Sequence, residues 1–287
     1  MSLLFLPLLL AQVGPGATYA PDPTTQVPPE MDEQRRLNRK PLITSGGPYL
    51  PPAPAQGCVD TVTADPAGSV ATAQSALMTA TGEARVRAEM CLGIALGELD
   101  HWSEARDAFI AGRDLAPSQD HATRARLGAM AGNAALAGND PAGALTILGA
   151  AQSSASAASD SPLGGSIAVD RARALVALGR DDEAAAALAD ARTAAPDNPQ
   201  AWLLSATLSR RMNRLDEAQQ QIEQAARLQP GDPETGLEAG VIAVLSGHDD
   251  AARRSWQSVV TLAPGSAAAE TAKGYLDQLS AQASAKP

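Results

Sequence analysis

Aromatic residues and cysteines are scarce in this sequence. Only 3% of the 287 residues are Phe, Trp or Tyr, and the cysteines are Cys58 and Cys91 alone. With 45% hydrophobic residues overall, a core must therefore be filled mainly by Ala and Leu. Both residues are strong helix formers, because Ala loses no side-chain entropy in a helix and Leu loses little. The composition favours an α-solenoid over a β-sandwich.

Basic residues are outnumbered by acidic ones. The formal net charge is -10 and the isoelectric point is about 4.8. Such a charge repels nucleic acids and anionic lipid headgroups unless basic side chains are concentrated on one face. Neither nucleic acid nor a lipid surface is expected as the main ligand.

Long apolar runs are also lacking. The run LLFLPLLL at residues 3–10 is too short to span a bilayer but suits the apolar part of a secretory signal, with small residues at Thr18 and Ala20 before a cleavage point. Residues 1–20 are therefore predicted to be a signal peptide, the alternatives being a mis-assigned start codon or an ordinary apolar N-terminus. We expect a periplasmic or secreted protein, without a lipid anchor and without an integral membrane segment after cleavage.

Proline dominates the segment that follows. Residues 21–57 include PDPTTQVPP and GGPYLPPAPA, which predict an extended, disordered linker. Within it lies a small basic cluster formed by Arg35, Arg36, Arg39 and Lys40. The cluster is interpreted either as a contact with an anionic partner or, in the simpler reading, as a solvated run of charges.

Motifs of common enzymes are missing. The sequence has no G-x-S-x-G, no Walker phosphate loop, no H-E-x-x-H and no C-x-x-C, and its three histidines are scattered in predicted turns or loop edges. The acidic pairs at 181–182 and 249–250 lie where carboxylates complement a helix dipole. We predict no catalytic residue, no metal ligand and no cofactor.

The dominant signal is a repeat with a period of 34 residues. Pro196, Pro230 and Pro264 are 34 residues apart, and so are Ala184, Ala218 and Ala252. A fixed period of 34 is typical of the tetratricopeptide repeat, and the sequence resembles that family. The resemblance covers roughly residues 60–283 and implies a right-handed α-solenoid of about five helical hairpins.

The family pattern can be followed position by position. A small residue in the first helix occurs at Gly93, Gly132, Ala172, Ala206 and Gly240. The second helix supplies an early Ala and, four residues later, a large apolar residue at Phe109, Leu148, Leu188, Ile222 and Trp256. The turn between the helices holds residues that tolerate a left-handed backbone, at Asp100, Asn139, Gly179, Asn213 and Gly247.

This pattern assigns repeats to 86–119, 125–158, 165–198, 199–232 and 233–266, together forming an array at 86–266. The second repeat lacks the exit proline, and SSASAASDSPLGG at 153–165 is interpreted as a flexible elbow. A capping helix and tail are predicted at 267–287, with Gly274 in the place of a sixth small residue. Residues 58–85 are predicted to form an N-terminal helical cap or degenerate repeat, whose helix begins at Asp65-Pro66 and runs to about Thr81.

The two cysteines flank this cap. In an exported protein, a disulfide between Cys58 and Cys91 would fasten the cap to the first repeat. Two buried free thiols and a reactive pair are the alternatives.

The resemblance implies that a concave groove, lined by the first helix of each repeat, binds other proteins. The family's contact positions fall here on Arg87, Arg126, Asn133, Asp170, Arg173, Thr207, Arg210 and Arg211. The N–H donors of an Arg guanidinium match the geometry of a carboxylate, and Asn can hydrogen-bond to peptide backbone. The expected ligand is therefore an extended or helical segment of a partner protein, with acidic side chains or a free C-terminus. The alternative is that these arginines pair with acidic residues of neighbouring helices.

We expect a scaffold or adaptor that resembles the Ala-rich exported repeat proteins of Gram-negative bacteria and is not an enzyme. Two other functions are compatible with the same fold: an accessory subunit that recruits a substrate to a separate enzyme, and a secretion or pilus assembly factor. The oligomeric state is not predicted.

Overall fold

The computed structural model describes Cys58, Val62 and residues 64–285, with side chains described to residue 281. The predicted signal peptide at 1–20, the linker at 21–57 and its basic cluster lie outside the described residues. Among the residues described, twelve α-helices form and no strand is present. The all-α solenoid predicted from the sequence is confirmed.

The helices follow one another with short connections. Their bounds are α1 Pro66–Leu77, α2 Gly82–Glu98, α3 Trp102–Leu115, α4 His121–Ala137, α5 Pro141–Ala157, α6 Ser161–Ala177, α7 Asp181–Ala194, α8 Pro199–Arg211, α9 Leu215–Leu228, α10 Pro233–Leu245, α11 Asp249–Leu262 and α12 Ala267–Ala285. Helices α2 to α11 pair in order into five hairpins, here called repeats one to five. Each even-numbered helix is the first helix of its hairpin.

The turn inside every hairpin has the same length and geometry. Three residues separate the two helices, and the middle residue has a positive φ in each case. These middle residues are Asp100 (61°), Asn139 (61°), Gly179 (71°), Asn213 (58°) and Gly247 (77°). Because Gly, Asn and Asp tolerate this left-handed conformation best, the five turn positions predicted from the sequence are confirmed.

The predicted flexible elbow is wrong. Helix α5 continues to Ala157, where Ala155 is fully buried, and α6 begins at Ser161 after only three residues. Ser159, the middle residue of this turn, has φ 55°, so the connection between repeats two and three has the geometry of a turn within a hairpin. The Asp160 carboxylate accepts a hydrogen bond from the Leu163 N–H at 3.1 Å and so caps the N-terminus of α6, which begins at the next residue. The extra residues at 120–124 and 159–164 lie mainly in α4 and α6, which have 17 residues each against 13 in α8 and α10.

Each hairpin is closed by a small residue that packs against a large one. The two lie 16 residues apart in all five repeats, as in Gly93 and Phe109. A Cβ atom added to Gly93 would lie 2.5 Å from the Phe109 ring, and the same clash arises between Gly132 and Leu148 and between Gly240 and Trp256. The missing side chains therefore allow the two helices to approach closely around a large apolar residue.

The first helix, α1, begins where the sequence predicts. The Asp65 carboxylate accepts the Gly68 N–H at 2.9 Å, and Pro66 occupies the first helical position. The helix ends at Leu77, earlier than the predicted Thr81. Cys58 forms a disulfide with Cys91 of α2 at a Cα–Cα distance of 5.7 Å, and Val62 is 1% exposed in the same hydrophobic cluster as Ile94.

The last helix, α12, packs against α10 and α11, and its residues Ala268, Ala269 and Ala272 are buried. Its Tyr275 ring lies 5.0 Å from that of Trp256, measured between centroids. Gly274 occupies the place of a sixth small residue, yet a Cβ added there would meet nothing within 4 Å. The helix thus covers repeat five, and within the described residues no second helix packs on Gly274.

Candidate functional site

One side of the first helices carries all the residues predicted to contact a partner. Relative to the small residue of each repeat, these positions lie six, three and two residues before it and one, four and five residues after it. This spacing repeats every helical turn, so the six positions share one side of a helix. We call this side of α2, α4, α6, α8 and α10 the first-helix face. Arg87 lies on α2, Arg126 and Asn133 lie on α4, Asp170 and Arg173 lie on α6, and Thr207, Arg210 and Arg211 lie on α8.

Three of the predicted residues meet between α4 and α6. Arg173 Nη1 donates to Asp170 Oδ1 at 2.8 Å, and the Asn133 side chain also hydrogen-bonds to this carboxylate. Burial raises the pKa of Asp170, while Arg173 and Asn133 act in the opposite direction by favouring the charged form. The Arg173 side chain remains 47% exposed. This cluster joins repeats two and three, and the Asp170 bond uses one of the five N–H donors of Arg173.

Arg210 has a different role from the one predicted. Its Nε donates to Glu238 Oε1 at 2.6 Å, across from α8 to α10, and the two side chains are only 8% and 13% exposed. Tyr275 of α12 lies close enough for both charges to affect its pKa, which is raised mainly by burial. Arg210 therefore fits the alternative prediction, that these arginines pair with acidic residues of neighbouring helices. The ion pair fastens repeat four to repeat five.

The other arginines on the face differ in how fully they are paired. Arg211 Nη2 lies 3.9 Å from Asp181 Oδ2 of repeat three, a long contact between side chains that are both more than a third exposed. Neither Arg87 nor Arg126 forms an ion pair with any residue that the structure describes. Arg87 is exposed and Arg126 is half-buried. Thr207 uses its hydroxyl to donate to the Leu203 carbonyl within its own helix at 3.1 Å.

Sequence reasoning missed two parts of the face. Glu238 occupies the same repeat position as Asp170, two residues before the small residue, and a comparison of that position across repeats would have found it. The aliphatic residues of α10 were also missed, because apolar positions in a first helix look like core. Val241 and Val244 are half-buried, and Leu245 is 37% exposed.

In the part of the chain that the structure describes, no group of three or more His, Cys, Asp or Glu residues is placed to hold a metal ion. Over the same residues, no helix is both long and apolar enough to cross a membrane.

Residues 166–208 match the family model of the tetratricopeptide repeat. The matched segment contains all of α7 and most of α6 and α8, and therefore includes the Asp170–Arg173 pair. The 34-residue period and the five hairpins agree with this match, which covers part of the chain. No curated protein matches the sequence significantly.

Solved structures with a similar fold include tetratricopeptide repeat proteins. The structure of BtubC from P. vanneervenii has a TM-score of 0.57 at 12% identity, covering 80% of this chain and 94% of that one. PilF of Pseudomonas aeruginosa has a TM-score of 0.53 at 13% identity, covering 75% and 99%. TTC0263, a tetratricopeptide repeat protein of Thermus thermophilus, has a TM-score of 0.51 at 18% identity, covering 68% and 98%. At these identities the likeness concerns the fold alone.

Proposed function

We propose that this protein is an interaction scaffold that holds a segment of a partner protein on the first-helix face. The observation that carries the proposal is that this face crosses the repeats and carries arginine side chains that the fold engages only in part. Arg126 acts on the Asp120 carboxylate by its charge alone, without an ion pair. Arg126 forms no ion pair with the described residues, and Arg173 is half exposed beside Asp170. Hydrogen-bond donors of this kind suit the carboxylates and backbone carbonyls of a bound segment.

The proposal is tested by site-specific photo-crosslinking in an extract of the organism that encodes the chain. A photoreactive residue placed at Met130, on the first-helix face, is expected to crosslink a partner, which mass spectrometry identifies. The matched control is the same residue at Gln257, an exposed position on the second helix α11. Equal crosslinking from both positions, or from Gln257 alone, would contradict the proposal.

The contribution of Arg126 to binding is then tested by measuring the affinity of variants for the identified partner. Arg126→Glu is expected to weaken binding about tenfold or more, which corresponds to about 1.4 kcal/mol, because the new carboxylate repels an acidic partner segment. Arg254→Glu on α11 makes the same charge change at an exposed position away from the face. The control variant is expected to bind like the wild type, and an equal loss in both variants would indicate a general charge effect instead.

We also propose that the protein is exported to the periplasm or secreted. The support is the apolar run at 3–10 together with the Cys58–Cys91 disulfide, since disulfides persist mainly in oxidising compartments. The chain is expressed with its native N-terminus in a Gram-negative host, and its intact mass is measured before and after reduction. We expect a periplasmic product cleaved near Ala20 that gains two hydrogens on reduction. A full-length, reduced, cytoplasmic product would overturn the proposal.

A further inference from the structure

The disulfide lies at a position that links neighbouring repeats elsewhere in the array. Cys91 is two residues before the small residue of repeat one, as Asp170 and Glu238 are in repeats three and five. Each of those carboxylates bonds to a residue of the preceding first helix, across the boundary between two repeats. Among the described residues, repeat one has no preceding first helix, and Cys91 is joined instead to Cys58. A covalent bond thus makes the connection that polar contacts make farther along the array.

Apart from this bond, the described residues before α2 are held weakly. We call Cys58, Val62 and α1 together the N-terminal cap. Its buried residues are Val62 and Ala73, which are 1% and 5% exposed. Each helix from α2 to α11 has at least three buried residues, and α1 contains no charged residue that could form an ion pair. Because burial has to offset the entropy lost when a segment is ordered, the cap depends on the disulfide to stay docked.

The N-terminal cap covers apolar side chains of repeat one. Helix α1 packs on α2, and Val62 belongs to the same hydrophobic cluster as Ile94, which is 5% exposed. Val86 and Met90 of α2 pack against this cluster and are partly buried. Without the cap, these side chains would meet water at the end of the array, where a repeat protein needs a cover.

The disulfide is accessible to thiol–disulfide exchange, since Cys58 and Cys91 are both partly exposed. One thiolate of a dithiol reductant attacks a sulfur of the bond, forms a mixed disulfide with it and releases the other cysteine. The second thiolate of the reductant then displaces the remaining cysteine, so the reductant leaves as a disulfide. Two electrons pass from the dithiol to the protein, and each cysteine sulfur takes up one proton from solvent.

We propose that the N-terminal cap is a redox-controlled cover. With the disulfide formed, the cap stays on α2 and closes the end of the array. Once a dithiol has reduced the bond, the cap leaves α2 and exposes Val86, Met90 and Ile94. Repeats one to five stay folded, because each is held by packing on its neighbours. This control goes beyond the proposed function and does not depend on the identity of a partner.

Methionine oxidation measures the release, because Met90 lies beside Cys91 and its oxidation by hydrogen peroxide follows its exposure. The disulfide-bonded full chain is compared with the double variant Cys58→Ser, Cys91→Ser, and sulfoxide formation is followed by peptide mass spectrometry. We expect Met90 to be oxidised about tenfold faster in the variant. Met212, which is partly buried at the end of α8, is expected to keep its rate. Met78 is 85% exposed and is expected to be oxidised rapidly in both proteins.

A second comparison uses the wild-type chain alone. The protein is reduced with dithiothreitol and divided into two samples. One sample is alkylated with iodoacetamide, and the other is reoxidised with oxidised glutathione. After removal of the reagents, Met90 is expected to be oxidised rapidly in the alkylated sample and slowly again in the reoxidised one.

Three outcomes would overturn the inference. Unchanged protection of Met90 after loss of the disulfide would show that packing alone holds the cap. Faster oxidation of Met212 together with Met90 would show that the disulfide holds the whole array. Failure of reoxidation to restore the protection would exclude a reversible control. Each result leaves the proposed function of the first-helix face standing, since the experiment contains no partner.

Discussion

Asp170 is an acidic side chain held away from water on the first-helix face. Its partners are Arg173 on the same helix and Asn133 on α4, and burial still outweighs both in raising its pKa. A carboxyl group whose pKa is raised in the folded state favours folding most when it is protonated. Its contribution is therefore complete below the unfolded value of about 3.9 and is lost as the pH rises through the higher folded value.

Asp170→Asn should reveal this pH dependence. Asn keeps the size of the side chain and an oxygen that can accept from Arg173, but it has no charge to desolvate. We expect the free energy of unfolding of the wild type, relative to that of the variant, to fall as the pH rises above about 4. Urea denaturation at several pH values measures the difference. Asp190→Asn, at an exposed position of α7, is the control, and a difference that rises with pH for Asp170 would contradict the expectation.

At the scale of the element, the unit of the fold is a hairpin closed by one small and one large residue. Gly132 of α4 faces Leu148 of α5 so closely that a Cβ would clash with the leucine side chain. Gly149, the next residue along α5, has open space where its Cβ would lie. The same substitution at these two glycines therefore has opposite consequences.

Gly132→Ala is expected to lower the free energy of unfolding by about 1–3 kcal/mol, because the added methyl group forces two helices apart. Gly149→Ala is expected to raise it by about 0.5–1 kcal/mol, because Ala is the better residue inside a helix. Urea denaturation of both variants beside the wild type gives the comparison. Equal destabilisation by the two substitutions would show that the close contact of α4 with α5 is not the reason that glycine is required at position 132.

The turns inside the hairpins were the most predictable elements, because their residues act locally. Each of the five hairpin turns has its left-handed residue where the repeat pattern places it. The turn at Ser159 could not be predicted in this way, since Ser rarely adopts a positive φ and the small, polar segment around it is typical of a loop. Its conformation is imposed by the packing of α5 on α6, with Ala155 and Ile167 fully buried in one cluster.

At the scale of the whole molecule, helices pack mainly on their neighbours in sequence, as expected for a solenoid whose stability is a sum over adjacent repeats. The sequence therefore predicts the order of the stack from its period. It does not predict which charges meet across repeats. Arg173 and Arg210 both lie on the first-helix face, one and four residues after the small residue of their repeats. One is half exposed beside Asp170 and the other is buried against Glu238. The difference arises from contacts between residues up to 28 positions apart, which a repeat pattern does not contain.

The Cys58–Cys91 disulfide also changes what a break in the chain would do. The bond joins residues separated by 33 positions and so closes a covalent ring that contains α1, the turn after it and the beginning of α2. That turn is accessible, and Met78 at its start is 85% exposed. A protease that cuts once within the ring leaves both pieces joined through sulfur. The nicked molecule would keep its mobility on a gel without reductant and separate into two fragments only after reduction.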